Sequence, residues 1–403
     1  MSSQLQVRTL RSLPEIEAIR EVWESWPGHR DSDIDFCLML IQAHPDVLRP
    51  HVLVAYRSGR PQSLLIGRAE HRPIEFRGGY FSILRPRAQI LTFIPWGLRG
   101  DKSPETSRAF VEEILTSLRK RDADTAALVF VDVNSPIRMM ARQLPSVFCR
   151  DFLAATKVHW KMELAENIDE VWRRFSGDHR RQLRRKARKL HAEFGEQIRV
   201  SSLRGPADVD RIMQDAEQVA RTTYQRGLGV GFSATDEMRK RLSLQAQKDW
   251  LRAYILYISN APCAFWIGSL YKGVFYSDYL AHDPGYDKHS VGTFLTMNTI
   301  EALCGEGAKG IDFGPGHSRY KQQFSNSRHE ESTVYIFAPT IKGIGLNVVR
   351  TFLGLIDSAL KMVLQHARLL SQVKRLARWR ISQRETSSDT RAAYSSSCPG
   401  SHR

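Results

Sequence analysis

The sequence predicts a mixed α/β protein, α+β in detail, made of two successive units in which a mixed sheet is flanked by helices. Three observations predict this. A chain of 403 residues is longer than one hydrophobic core normally fills. Its apolar residues recur at helical spacing in some segments and alternate in others, with turn residues between them. The order of those segments in the first half also comes round again in the second.

The first half opens with a strand at 7–10 and a helix at 13–26, where Ile16, Ile19, Val22 and Trp23 share one face. A helix at 34–43 follows, then a hairpin of 51–56 and 63–67 around the turn Ser58-Gly59-Arg60-Pro61. Further strands are expected near 80–84 and 90–93, then a helix at 105–120, a strand at 126–133, a helix ending near Leu144 and a strand near 155–164. In the second half, helices at 169–194 and 207–226 lead to a meander of 251–258, 263–271 and 274–281. Its tight turns are Asn260-Ala261-Pro262 and Lys272-Gly273. A helix from Gly292 to Cys304 crosses over to a strand at 310–313, and a last strand is expected at 332–337. The expected bodies are 1–158, 159–340, a basic amphipathic helical extension at 341–384 and a disordered Ser/Thr-rich tail at 385–403.

The net charge of +16 suggests a nucleic-acid partner until its distribution is considered. Residues 171–191 hold nine Lys/Arg against one Asp, and residues 341–403 hold eleven against three acids. The remainder balances at 39 basic and 39 acidic residues, so the positive field comes from two local patches. Without aromatic interleaving or a nucleic-acid motif, a dedicated DNA- or RNA-binding module is not expected. Cysteines 37, 149, 263, 304 and 398 have neither metal-ligand nor redox spacing, and the N-terminus lacks an apolar signal segment. A reduced, cytoplasmic protein without a metal is the expectation.

The most pointed segment is Asp312-Phe313-Gly314-Pro315-Gly316-His317-Ser318-Arg319-Tyr320-Lys321, an acid closing an apolar strand before a glycine turn that carries a lysine. Just upstream, Ser290, Val291, Gly292 and Thr293 open a helix with small residues. A helix start offers unpaired N–H groups and a positive dipole end, and small side chains let a diphosphate approach them. An ordinary N-cap is the plainer reading of the same residues. On the third meander strand, alternation places Tyr276 and Asp278 on one face and Ser277 and Tyr279 on the other, with His282 at the strand end. Asp278 is there a candidate base, while His282 and His317 are either substrate-binding or structural.

The long helix, the three-stranded meander, the small-residue helix start and the Asp-Phe-Gly strand end before Tyr320-Lys321 together resemble the GNAT acyltransferase superfamily. More narrowly, the chain is similar to its BioF2-like, CelD-like and FemAB-like branch, whose members carry tandem GNAT-type domains. The run Phe175-Ser176-Gly177-Asp178-His179-Arg180-Arg181-Gln182-Leu183-Arg184-Arg185 resembles the basic helix that opens that branch's second domain.

The resemblance implies acetyl-CoA or another acyl-CoA as co-substrate, bound at Ser290, Val291, Gly292 and Thr293. It associates Lys321, which follows aromatic Tyr320, with the acyl-transfer site, where a lysine could stabilise the tetrahedral oxyanion. A lysine laying its stem on Tyr320 or Phe324 is the plainer alternative. Asp312 either orients Lys321, binds an acceptor amine or caps the glycine turn. Arg184 and its neighbours could meet an anionic acceptor such as a glycan precursor, or tRNA in an aminoacyl-transferring relative. The branch's fold also implies two neighbouring strands splayed apart beside Gly292. The expected activity is N-acyl transfer in polysaccharide or cell-envelope synthesis, with a catalytically silent accessory protein as the contrasting class. The basic extension at 342–384 either docks on the protein surface or meets the inner face of an anionic membrane.

Overall fold

A computed structural model describes residues 5–78, 81–223, 226, 231–316 and 318–366. Strands β1 (Gln6–Leu10), β2 (Val47–Pro50), β3 (Val52–Arg57), β4 (Arg60–Pro73), β5 (Phe76–Gly78), β6 (Phe81–Leu84), β7 (Arg87–Gly100), β8 (Thr125–Asp132) and β9 (Thr156–Glu163) come first. They are followed by β10 (Ile198–Leu203), β11 (Leu251–Ile258), β12 (Ala261–Tyr271), β13 (Val274–His282), β14 (Gly310–Pro315) and β15 (Ser327–Phe337). Two compact units result, one comprising Met1–Lys161 and Gly314–Lys361, the other built on Met162–Phe313. The segment 314–340, expected within the second body, thus groups with the first, because β15 hydrogen-bonds to β8 and β9.

In the second unit β10, β11, β12 and β13 pair antiparallel in succession, and β14 then pairs parallel to β13. The helix Val291–Gly305 makes the crossover that a parallel pair requires. The first unit has the same arrangement: β1, β3, β4 and β7 pair antiparallel, β8 pairs parallel to β7, and the helix Pro104–Arg119 makes the crossover. One topology is therefore written twice, which gives physical content to the repeated order in the sequence.

The central strands of each unit are buried. Successive residues of β3 alternate, so Val52 and Val54 meet Trp23, Ile34 and Cys37, while Leu53 and Ala55 meet Phe110, Val111 and Ile114 of the crossover helix. That helix starts where Ser103 accepts from the Thr106 N–H and Pro104 presets the backbone of the first turn. In the second unit the helices Val209–Arg221 and Asp236–Gln247 cover β11, β12 and β13 through Ile212, Ala216, Leu242 and Ala246.

Several elements differ from the sequence expectation. The helix expected at 169–194 is two, Ile168–Arg174 and Gly177–Phe194, because Phe175 is extended and Ser176 caps the second by accepting from the His179 N–H. The first helix likewise divides into Leu13–Glu17 and Arg20–Ser25 at Ile19, whose backbone leaves the helical region. β10 and the helix Asp236–Gln247 were not anticipated, and part of the polar segment between 313 and 332 is a short helix, Arg319–Phe324. The extension forms the helix Ile341–His366; the rest of it, the tail and Tyr80 of the strand expected at 80–84 lie outside the described residues. Among the described residues, no helix is long and apolar enough to cross a membrane.

Candidate active site

The second unit builds a pocket lined by basic residues at the start of the helix Val291–Gly305. Asp283 at the end of β13 accepts from the Gly285 N–H at 2.8 Å and starts a tight 3-10 turn over Pro284–His289. Ser290 then takes a left-handed backbone (φ 56°, ψ 36°), a conformation costly for a residue with a Cβ. Its carbonyl accepts from Phe294 at 3.1 Å, and its side chain makes no capping bond. The N–H groups of Val291, Gly292 and Thr293 precede the first i→i−4 bond of the helix. A Cβ on Gly292 would stand 3.2 Å from Nδ1 of His282, so His282 packs against this first turn while its Nε2 lies 2.8 Å from Asp287.

The basic helix Gly177–Phe194 supplies the other wall. Leu183 and Leu190 are its buried residues, and they set which basic side chains turn toward the helix start. Lys186 Nζ lies 3.5 Å from Thr293 Oγ1, Lys189 Nζ donates to the Lys288 carbonyl at 3.4 Å, and His191 meets the Phe294 ring edge-on. A pocket of about 460 Å³ opens here, lined by Arg185, Lys186, Lys189, Lys288, His289 and Ser290. Glu193 approaches this lining, 2.9 Å from His289. Four Lys/Arg side chains near a helix N-terminus concentrate positive charge, to which a diphosphate is complementary. Arg184, the substrate-binding candidate, is exposed and outside this lining; its neighbour Arg185 points in.

Beside the pocket, β13 and β14 pair only at Val274/Gly310, Phe275/Ile311 and Tyr276/Asp312. From Ser277 to His282, β13 continues its ladder with β12, while β14 runs no farther than Pro315. The register of β12 on β13 slips between Ile267/Tyr279 and Gly268/Ser277, leaving Asp278 as the extra residue of a bulge. The bulge corrects the simple alternation. Ser277 accepts from the Trp266 indole at 2.8 Å on one face, whereas Tyr279 packs with Phe232 and Ile267 on the other.

Asp278 is held by the unanticipated helix: Arg241 donates to it at 2.7 Å and Gln245 at 3.5 Å. Tyr276 is half-buried, and Asp312, opposite it in register, is buried between Ile311 and Phe313.

Lys321 and Tyr320 belong to the first unit, on the helix Arg319–Phe324 anchored by buried Phe324. Lys321 Nζ donates to the carbonyls of Pro315 at 3.0 Å and Gly314 at 3.3 Å. Both glycines of the turn need positive φ, 72° at Gly314 and 106° at Gly316, which only glycine adopts without strain. The Trp160 indole donates to the Gly316 carbonyl at 3.0 Å, so the turn is clamped by an ammonium and an indole. Tyr320 is half-buried, and His317 lies outside the described residues.

Residues 177–322 match the family model for an acetyltransferase (GNAT) domain, and they hold the pocket, the meander and the crossover helix. Over these residues the chain is similar to the GNAT family. No curated protein matches the chain by sequence. Among solved structures, FemX is similar in fold, with a TM-score of 0.52 and 8% identity over 80% of this chain and 95% of that one. A tandem GNAT protein from the clavulanic acid biosynthesis pathway aligns with a TM-score of 0.49 and 11% identity, over 84% of this chain and 99% of its own. L-PGS from Bacillus licheniformis aligns at 0.48 and 10%, over 87% and 99%. Residues 177–322 thus match the GNAT model, and the first unit repeats the strand-and-crossover topology of the second. Arg185 and Lys189 were expected, with Arg184, to face outward or toward a cleft that takes an anion, whereas Lys186 and Lys288 were not assigned to a ligand. The signal was present: Arg185 and Lys189 stand one helical turn apart, with Lys186 beside them, between buried Leu183 and Leu190.

Proposed function

We propose that the protein is an acyl-CoA-dependent acyltransferase that moves an acetyl or longer acyl group onto an amine or hydroxyl of a small molecule or glycan precursor. The cationic pocket at the left-handed Ser290 start of the crossover helix is the observation that carries this reading. In it the diphosphate sits on the N–H groups of Val291, Gly292 and Thr293, with Arg185, Lys186, Lys189 and Lys288 around it. The pantetheine arm runs along β13 past Ser277, where a strand edge without a β14 partner offers amide hydrogen bonds. The acceptor attacks the thioester carbonyl, the C–S bond breaks, and the leaving thiolate takes up a proton. Lys321, preceded by Tyr320, is the candidate for oxyanion stabilisation that the family resemblance raises. Residues 342–384 add peripheral contact with an anionic membrane, which suits an envelope or polysaccharide acceptor. An aminoacyl-tRNA donor is the second reading, favoured by the exposed arginines of the basic helix.

Acyl-CoAs of graded chain length, added to the purified protein in a thermal-shift assay, test the donor. Saturation at 100 times Kd stabilises by roughly 2.7 kcal/mol, several degrees in Tm. The expected result is stabilisation lost in a Lys186→Glu/Lys189→Glu double variant, and turnover that falls in Lys321→Met with CoA binding retained. No stabilisation by any acyl-CoA sinks the reading, and transfer abolished by RNase favours the tRNA donor. Turnover unchanged in Lys321→Met removes that residue from the chemistry.

A further inference from the structure

The first unit contains a polar cluster that acyl transfer at the GNAT domain does not use. His159 of β9 and His329 of β15 are direct cross-strand partners, and Glu331, two residues beyond His329, shares its face of β15. Nδ1 of His159 is 3.0 Å from one carboxylate oxygen of Glu331, and Nε2 of His329 is 2.8 Å from the other. The two imidazoles stack with centroids 4.6 Å apart. Side-chain exposure is 1% for Glu331, 4% for His159 and 25% for His329, so the carboxylate is buried with two nitrogen donors around it. Trp96 closes the cluster with its ring 5.9 Å from His159 and 5.6 Å from His329. It does so from a left-handed backbone (φ 58°) where the β4–β7 register shifts, and His29 stacks on its ring at 5.5 Å. A bulky residue in the left-handed region costs energy, and the surrounding contacts keep it in place.

We propose that His159, His329 and Glu331 bind a divalent transition-metal cation of the zinc class. Two imidazole nitrogens and one carboxylate oxygen are the donor types such cations take, and here one atom from each residue lies within 4.8 Å of the others. Bonds of about 2.0–2.1 Å require these donors to draw together. The His329 ring, the most exposed of the three, turns about its Cα–Cβ bond to do this, and each imidazole nitrogen that ligates the cation gives up its proton to the other ring nitrogen or to solvent. Three protein ligands leave a fourth position for water. His159 and Glu331 are 172 residues apart in sequence, so the ion ties β15 to β9 and fastens the late strand into the first unit.

The test uses the full chain, stripped with EDTA and titrated with Zn²⁺ by calorimetry, and with Co²⁺ by visible absorption. Expected are a single tight equivalent, a raised Tm, and a tetrahedral Co²⁺ band. All three should be lost in His329→Ala and in the near-isosteric Glu331→Gln, and retained in His71→Ala, which removes an exposed histidine elsewhere. Far-UV circular dichroism identifies a variant that has failed to fold, and His329→Asn, which keeps a polar side chain at this partly exposed position, then stands in for His329→Ala. A folded wild-type chain that takes up no Zn²⁺ overturns the proposal, as does uptake that the folded His329 and Glu331 variants retain; either leaves His159, Glu331 and His329 as a hydrogen-bonded triad only. None of these readouts depends on acyl transfer.

Discussion

Asp278 shows how a side chain named for chemistry acquires a structural partner. It is the extra residue of the β13 bulge, nearly buried, and Arg241 meets it at 2.7 Å. Removing one partner of a buried pair leaves the other charge uncompensated at about 3–5 kcal/mol, whereas an exposed pair is worth about 1 or less. Arg241 retains some exposure and lies over the Tyr279 ring, so the cost falls between these limits. Asp278→Asn is therefore expected to destabilise the protein by about 2 kcal/mol, lowering the urea midpoint with an unchanged m-value. An unmoved midpoint would show that the pair contributes nothing net and would return Asp278 to the list of candidate bases. The acid was visible in the sequence; its partner was not, because Arg241 sits on a helix that had not been recognised. Met238, Leu242 and Ala246 repeat every four residues there, so the missed signal was helical period in a charge-rich stretch.

At the scale of elements, the basic helix Gly177–Phe194 carries half of the anion pocket yet buries only Leu183 and Leu190. Burying a leucine contributes on the order of 2 kcal/mol, and truncating one to alanine in a packed site costs about 2–5 kcal/mol. With so few anchors, the helix should open locally before the sheet does. Leu190→Ala is expected to speed amide hydrogen exchange across 183–191 and weaken CoA binding while β11 to β13 keep their protection. Wild-type protection in that helix would mean that the Lys186 and Lys189 contacts, and not leucine burial, hold it. Local elements such as this helix, the meander and the crossover helix were legible because spacing and turn residues specify them within a few residues. The pairing of β15 with β8 was not legible, since Val334 meets Leu128 across some two hundred residues and only the folded sheet decides that register. β10 escaped for a different reason: Ser201 and Ser202 interrupt its apolar pattern.

For the whole molecule, the question is what the C-terminal helix does with its second apolar face. Leu346, Val349 and Leu353 pack on Phe337, Ala127 and Ile90, which accounts for docking on the first unit. Val348, Phe352, Leu355 and Ile356 face outward with exposures of 60%, 63%, 57% and 44%. Asn347 donates to the carbonyls of Phe148 and Arg150, which brings exposed Phe148 and Phe152 beside the same helix. Exposed aromatic side chains beside a helix that opens a sequence stretch with eleven Lys/Arg and three acids make a combination suited to an anionic bilayer, where each basic residue near the surface contributes about 1 kcal/mol. The protein is expected to co-sediment with vesicles containing phosphatidylglycerol, to leave pure phosphatidylcholine vesicles in solution, and to be released as salt shortens the Debye length. Phe148→Glu/Phe352→Glu should reduce vesicle binding at least tenfold while leaving Tm within a few degrees, because both side chains are already in water. Failure to bind anionic vesicles at low salt would end the membrane reading. A change from dimer to monomer on gel filtration in the double variant would instead assign this face to a second copy of the chain.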